Sequence, residues 1–353
     1  MALARYLIKR GVFLVITLVA AVYISVVIAN FGGLIDELLK GQIAFALNQQ
    51  LRGDPTFNTL PPEVQNEIFN TSFDALVEAR GLNEPFLPKT IGYTIDALQL
   101  NLGQAISLHD AAGSKQIYNI VLERLPRTLI LFFTADIIAA AFGIWLGMKM
   151  ARRAMSATDR GLTILSITTF VVPPWVFGIY FILVFAYGLR WVPPGGFLSV
   201  PPPTDPWLYT ADFMYHLALP LFTVVFAIFG SWAYTTRNLV LQIQDEDFVM
   251  AGRAKGLSEG ALQRKYVLRA ASPPIVTSLA LTLIGSWFGA IITETVFNWP
   301  GIGLLYFEAI TVFDAPVIIG LIAIYAMLLV ATVFILDLTY GLLDPRVKSA
   351  RGG

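Results

Sequence analysis

Six apolar runs dominate this sequence and leave few folds open to it. They cover residues 11–31, 128–148, 161–189, 213–236, 270–293 and 315–336. Each reaches the ~20 residues that a helix needs to cross a hydrocarbon core about 30 Å thick. Five carry no charged side chain, and the second carries only Asp136. Such runs are too long for buried strands, and barrel strands would be shorter and would alternate. The expected fold is an all-α polytopic membrane protein with six transmembrane helices. Composition agrees: 14% of residues are charged, against about 25% in soluble domains.

Basic residues set the expected orientation. Arg5, Lys9 and Arg10 precede the first run; Lys149, Arg152, Arg153 and Arg160 follow the second. Arg237, Arg253, Lys255, Arg264, Lys265 and Arg269 follow the fourth, and Arg346, Lys348 and Arg351 end the chain. The alternate loops are poorer in positive charge, with only Arg190 between the third and fourth runs and none between the fifth and sixth, which places both termini in the cytoplasm. Ile28-Ala29-Asn30 is a poor cleavage site, so the first run reads as an uncleaved signal anchor. The chain balances 24 Lys+Arg against 24 Asp+Glu, lacks cysteine and has two histidines, His109 and His216. That excludes a polybasic nucleic-acid binder, disulfide frameworks and cysteine metal sites, and leaves little for a histidine site. No G-x-x-x-x-G-K-[ST] occurs, so the chain is not expected to hydrolyse ATP. No catalytic residues and no metal site stand out.

The expected domains are 1–31 (N-terminus and first helix), 32–127 (an extracytoplasmic cap), 128–343 (helices two to six) and 344–353 (a cytoplasmic tail). In the cap, residues 34–50 read as an amphipathic helix. A second helical run begins at Pro61-Pro62-Glu63 and stops at Gly81. This periodicity favours an ordered, mainly helical insertion over a passive loop.

The cytoplasmic loop 244–272 carries the clearest functional signal. It reads as two short helices joined at a turn. Glu246 and Asp247, with Asp245, suit the positive end of a helix dipole. Phe248 follows, and Ala251, Gly252 and Ala254, around Arg253, form a face with little side-chain volume. After Lys255, Gly256 fits a left-handed stop. Leu257 then leads into Ser258, which fits an N-cap. Pro273 and Pro274 are expected to end the second helix and open span five. On the residues alone, a docking element and an amphipathic connector lying on the membrane account for this segment equally.

Glu246-Asp-Phe-Val-Met-Ala-Gly-Arg-Ala-Lys-Gly-Leu-Ser resembles the EAA loop of binding-protein-dependent ABC importer permeases. Six further segments resemble the B-type subunits of dipeptide and oligopeptide permeases, in the right order. They are Arg5-Tyr-Leu-Ile-Lys-Arg, Gly81-Leu-Asn-Glu-Pro-Phe-Leu, Asn101-Leu-Gly-Gln, Glu123-Arg-Leu-Pro-Arg-Thr-Leu, Thr293-Glu-Thr-Val-Phe-Asn-Trp-Pro-Gly-Ile-Gly and Leu343-Asp-Pro-Arg-Val. The chain departs from that pattern in a longer segment after span one, with Gly53-Asp54-Pro55 displaced, and in Ala270 and Ser272-Pro273.

The resemblance implies a type I ABC importer permease fold in the cell (inner) membrane, forming half of a translocation path for peptides. Oligosaccharides or nickel are the alternative cargo, and an ion-coupled secondary transporter is the competing class. It implies that residues 246–258 couple to an ATPase. The implied partners are a second, C-type permease, two ABC ATPase subunits that hold ATP and magnesium, and an extracytoplasmic substrate-binding protein. This chain is then expected to bind no cofactor and no nucleic acid.

Single residues carry further expectations. Asp136, inside a span, lines a path or hydrogen-bonds a neighbouring helix. Asp337 and His216 read as structural. Glu294 and Trp299, in the loop after span five, are placed near the outer mouth by the resemblance. Gly285 and Gly289 form a GxxxG that permits close helix packing. Pro173-Pro174 should kink span three.

Overall fold

The computed structural model describes residues 2–31, 33–286 and 289–343. The tail 344–353 and the side chain of Asp337 lie outside the described residues. Among those described, helices form nearly all the regular structure, with one isolated bridge between Gln104 and Gln116. Among the described residues, five helices are long and apolar enough to cross a membrane, or up to six spans if a bent pair counts as one. The described residues fold into two compact units, 2–123 with 308–343 and 124–307.

The first unit holds α1 (Ala2–Asn30), α2 (Leu34–Arg52), α3 (Pro55–Asn58), α4 (Pro62–Ala79), α5 (Phe86–Leu98) and α15 (Ala315–Leu343). Helix α1 packs on α15 and α5 through Val22, Val26, Ala97 and Ala323. Helices α2 and α4 pair over Ile43, Val77 and Leu82. Both helices thus form where apolar periodicity places them. The displaced Gly53-Asp54-Pro55 serves as a start signal. Asp54 caps α3, accepting from the Thr56 hydroxyl at 2.7 Å and its amide at 2.8 Å. Those two bonds, the hydroxyl foremost, hold the carboxylate below its ordinary pKa.

The irregular segment 101–116 is held from a distance. Asp314, wholly buried just before α15, accepts from the amides of Ile106 (3.0 Å), Ser107 (2.7 Å) and Leu108 (3.1 Å). Replacing Asp314 by Ala orphans three amides, each worth ~1–3 kcal/mol when buried without a partner. Limited proteolysis should then cut this segment faster than in the wild type, while Asp314→Asn, which keeps an acceptor, falls between.

The second unit holds α6 (Ile117–Arg152) from Arg124 onward, α7 (Ala157–Val171), α8 (Pro174–Phe181), α9 (Pro206–Gln244), α10 (Asp247–Ala254), α11 (Glu259–Leu262), α12 (Leu268–Gly285) and α13 (Ile291–Val296). Helix α14 (Ile302–Thr311) begins here. Helix α9 is the hub, with α7, α8 and α12 packed against it.

The third apolar run is broken rather than kinked. Helix α7 ends at Val171, and the chain turns by 98° into α8 and its π-helical continuation Ile182–Gly188. Adjacent prolines impose this, because each removes a helical donor and restricts the residue before it.

Span five departs from expectation at both ends. Helical structure runs unbroken from Glu259 through Pro273 and Pro274 to Gly285. The prolines therefore do not end a helix. Proline at 273 cannot donate to the carbonyl of Arg269, and the Ser272 hydroxyl donates there instead at 2.9 Å. A π-helical turn at Gln263–Val267 precedes them. At the far end the helix stops at Gly285, and the short α13 follows from Ile291. Gly289 has φ +61° and stands outside both helices. Gly285 and Gly289 thus share no helix face, and a Cβ at Gly285 would meet nothing within 4 Å.

Close helix packing is made elsewhere. A Cβ at Gly143 would lie 2.4 Å from Cβ of Trp232, and one at Gly147 2.5 Å from the Ala233 carbonyl oxygen. This pair, four residues apart on α6, lets its backbone approach α9.

Candidate functional site

The segment 244–262 folds as two short helices, α10 and α11, meeting at a corner. Helix α9 ends at Gln244. Glu246 takes an extended conformation before α10, and its carbonyl accepts from Val249 (2.9 Å) and Met250 (3.2 Å). Asp247 lies in the first turn, where the helix dipole favours an acid.

The helix ends in a Schellman closure. Leu257 N–H donates to the Gly252 carbonyl (3.4 Å) and Gly256 N–H to that of Arg253 (2.9 Å), with Gly256 at φ +79°. Ser258 then caps α11 by accepting from the Ala261 amide at 3.4 Å. The Gly256 stop and the Ser258 cap both stand where the sequence places them. Across the corner, Arg253 Nε donates to Glu259 Oε1 at 2.8 Å.

The inner face of α10 is buried. Val249 joins Leu262, Val267, Val240 and Ala151 in one core cluster. Gly252 belongs to that face. A Cβ there would come 2.7 Å from Leu262 Cδ2, so its smallness serves packing within the chain. The outer face exposes Ala251, Ala254 and Lys255. It also exposes two large apolar side chains, Phe248 at 43% and Met250 at 50%.

Asp136 is buried, and the Ser286 hydroxyl donates to its Oδ2. Glu294 and Trp299 stand in and just after the short α13. Both are fully buried and build a joint. Glu294 accepts from the Thr128 hydroxyl (3.0 Å) and the Leu304 amide (3.1 Å), and Thr128 accepts from the Ile302 amide (2.7 Å). Trp299 donates from Nε1 to the Arg127 carbonyl at 3.0 Å and packs on Phe197 and Phe213. A buried carboxyl and indole need partners, and the start of the α6 span supplies them.

Replacing Glu294 by Ala leaves the Thr128 hydroxyl and the Leu304 amide orphaned, a loss of about 2–6 kcal/mol. The melting temperature of the purified chain should fall sharply, and Glu294→Gln should recover part of it.

Two features escape sequence reasoning. Asp159, buried at the start of α7, receives Arg237 Nε and Nη2 at 2.6 Å each and the Met155 amide at 2.8 Å. Within the first unit, a cavity of about 1120 Å³ has Glu37, Asp96, Arg80 and Lys115 on its walls with Ile43, Leu82 and Ile319. These residues are scattered along the chain, and no local pattern joins them.

Known proteins are similar to this sequence over most of its length. A putative peptide permease of Brucella ovis is 31% identical over 306 residues, covering 87% of this chain and 93% of that protein. The oligopeptide transport system permease protein AppB of Bacillus subtilis is 28% identical with the same coverage. The di/tripeptide transport system permease protein DppB of Pseudomonas aeruginosa is 29% identical over 88% of this chain and 94% of its own. Among solved structures, a chain of the MetNI methionine ABC transporter in an inward-facing form covers 62% of this chain with a TM-score of 0.46 and 16% identity, too loose to assign a fold. Residues 142–349, from the middle of α6 through the α10–α11 corner and beyond, match one family model. The chain belongs to the family of binding-protein-dependent transport system inner membrane components.

Proposed function

We propose that this chain is one of two permease subunits of an ATP-driven, binding-protein-dependent importer of short peptides, and that the α10–α11 corner couples it to an ATPase. The observation that carries the reading is the two-faced α10. Its inner face is locked into the permease core, while its outer face presents Phe248 and Met250 to solvent. Exposed apolar side chains on a rigid helix suit a protein groove. Family membership and the peptide-transport names of the relatives support the cargo class.

In this reading the chain adopts a type I importer permease fold in the cell inner membrane, with both termini in the cytoplasm. That orientation rests on the basic loops, and it puts the corner on the side where ATP is. Two partner ATPases bind ATP and magnesium, this chain binds no cofactor, and a C-type permease completes the path. The helical segment 32–127 faces outward and meets the substrate-binding protein. Glu246, Asp247 and Phe248 open the docking element, and the turn at Gly256 passes its motion to α12. Nucleotide can shift the spans only if the two conformations differ in affinity for the ATPase states.

Affinity purification of the solubilised chain should recover an ATPase and a second permease. Deletion of the chain should remove ATP-dependent uptake of labelled di- and oligopeptides. Gradient-driven uptake without any ATPase bound would replace this reading with a secondary transporter. Loss of nickel or oligosaccharide uptake, with peptide uptake intact, would reassign the cargo.

A further inference from the structure

A second cleft, of about 770 Å³, opens beside the end of α6 within the second unit. Its walls carry Lys149, Arg152 and Arg153 from α6 and the loop after it, with the hydroxyls of Ser156 and Thr158. Leu146, Met150 and Leu162 supply an apolar floor.

Two carboxylates also line the cleft, and both are already engaged. Asp159 holds Arg237, and Glu259 holds Arg253. Arg152 feels the field of Glu259, yet neither the Arg152 nor the Arg153 guanidinium forms a hydrogen bond or ion pair among the described residues. Their guanidinium donors are available, and the fork geometry of arginine suits phosphate oxygens.

Positive charge at a helix end has an ordinary explanation, since it complements the dipole and orients the span. The cleft adds two things to that. It encloses the cations around a volume large enough for a phosphate group. Through Lys149 it also adjoins an apolar outer face of α6. Trp145 and Phe142 stack on each other, both about half exposed, one and two turns before Lys149. The Lys149 ammonium lies 4.8 Å from the Trp145 ring centre. A tryptophan beside a lysine at the end of an apolar helix marks the level of the membrane–water boundary.

We infer that this cleft binds the phosphate headgroup of an anionic phospholipid of the surrounding leaflet, with the acyl chains lying along Phe142 and Trp145. A soluble phosphate would use only the cationic half of the surface, and a zwitterionic lipid would bring its own cation against the arginines. The inference rests on α6 crossing the membrane. It needs neither an ATPase nor peptide transport, so its test is independent of both.

The full-length chain, purified in detergent, is titrated with phosphatidylglycerol, with phosphatidylcholine of the same acyl chains and with inorganic phosphate. Retained lipid is counted by native mass spectrometry. The wild type should prefer phosphatidylglycerol by about ten-fold or more. The variant Lys149→Gln/Arg152→Gln/Arg153→Gln should lose that preference. Arg264→Gln/Lys265→Gln/Arg269→Gln, which removes equal charge outside the cleft, should keep it. Because three changes can disturb folding, Arg152→Gln and Arg152→Lys are compared alone. Glutamine should weaken the preference several-fold, and lysine should largely preserve it.

Equal preference in the wild type and the cleft variant overturns the site. So does equal loss in both triple variants, which would mean general charge attraction. Displacement of the lipid by inorganic phosphate at matched concentration overturns the lipid assignment in favour of a soluble anion.

Discussion

Gly256→Asp should leave the chain in the membrane at wild-type abundance and abolish ATP-driven uptake. The first half follows from local geometry. Gly256 is exposed at the turn, and a Cβ there would meet nothing within 4 Å. The cost inside the chain is therefore conformational: roughly 1–2 kcal/mol for a side chain at φ +79°, and less for Asp or Asn, which tolerate that region best. The Schellman closure and the Ser258 cap still form. The second half follows from the proposed docking. A carboxylate would stand on the corner between two helices whose outer surface must fit a partner groove, and burying it unpaired costs several kcal/mol. Gly256→Asn separates bulk from charge. It adopts the same backbone conformation with nearly the same volume, so transport that survives in Asn and fails in Asp identifies charge as the cause. The measurements are quantitative blotting of membranes and ATP-dependent peptide uptake. Wild-type uptake by the Asp variant would remove the corner from the coupling mechanism.

Much of this fold is written in local sequence, and the failures have a common physical cause. The runs 128–148, 213–236 and 315–336 each fall within a long helix, as does all of 11–31 but its last residue, because twenty apolar residues have no other way to satisfy their backbones in lipid. The corner at 252–258 is equally local. One glycine needs φ > 0, and one serine caps the next three residues. Hydropathy, in contrast, cannot see where an apolar chain turns. Ala290, Ile291 and Ile292 extend the run of span five in composition, yet they follow the break after Gly285 and open a separate short helix. Prolines mislead in both directions. Pro173-Pro174 breaks a span, whereas Pro273-Pro274 sits inside one beside a serine that fills the vacated acceptor. Buried polar residues are the least legible. Glu294 looks like a loop carboxylate until Thr128, 166 residues away in sequence, is seen to donate to it.

Gly147→Ala should destabilise the protein severely, and the same change at Gly161 or Gly285 should not. The contrast isolates packing from helix propensity. In a helix interior, Gly→Ala on its own is favourable by roughly 0.5–1 kcal/mol. At Gly161 and Gly285 no atom lies within 4 Å of the added methyl, so these variants should match or exceed the wild-type melting temperature. At Gly147 the methyl would stand 2.5 Å from the Ala233 carbonyl oxygen, 2.8 Å from Thr236 Cβ and 3.0 Å from the Arg237 amide nitrogen. Two of those atoms are backbone of the hub helix α9, so no rotamer change relieves the clash, and α6 and α9 must separate. Separation loosens Trp232, Ala233 and Phe229 from Ala139, Ala140, Leu146 and Met150, the whole of one core cluster. Overpacking a core costs about 1–3 kcal/mol, and a rigid backbone partner puts this site at the upper end or beyond. Thermal unfolding of the three single variants in one detergent measures the difference. Gly147→Ala should lose several degrees or fail to accumulate, and Gly143→Ala should behave alike, because its methyl would lie 2.6 Å from the Phe229 carbonyl oxygen. Equal melting temperatures across the set would mean that α6 and α9 do not approach this closely, and the small-residue seam that organises the second unit would have to be sought elsewhere.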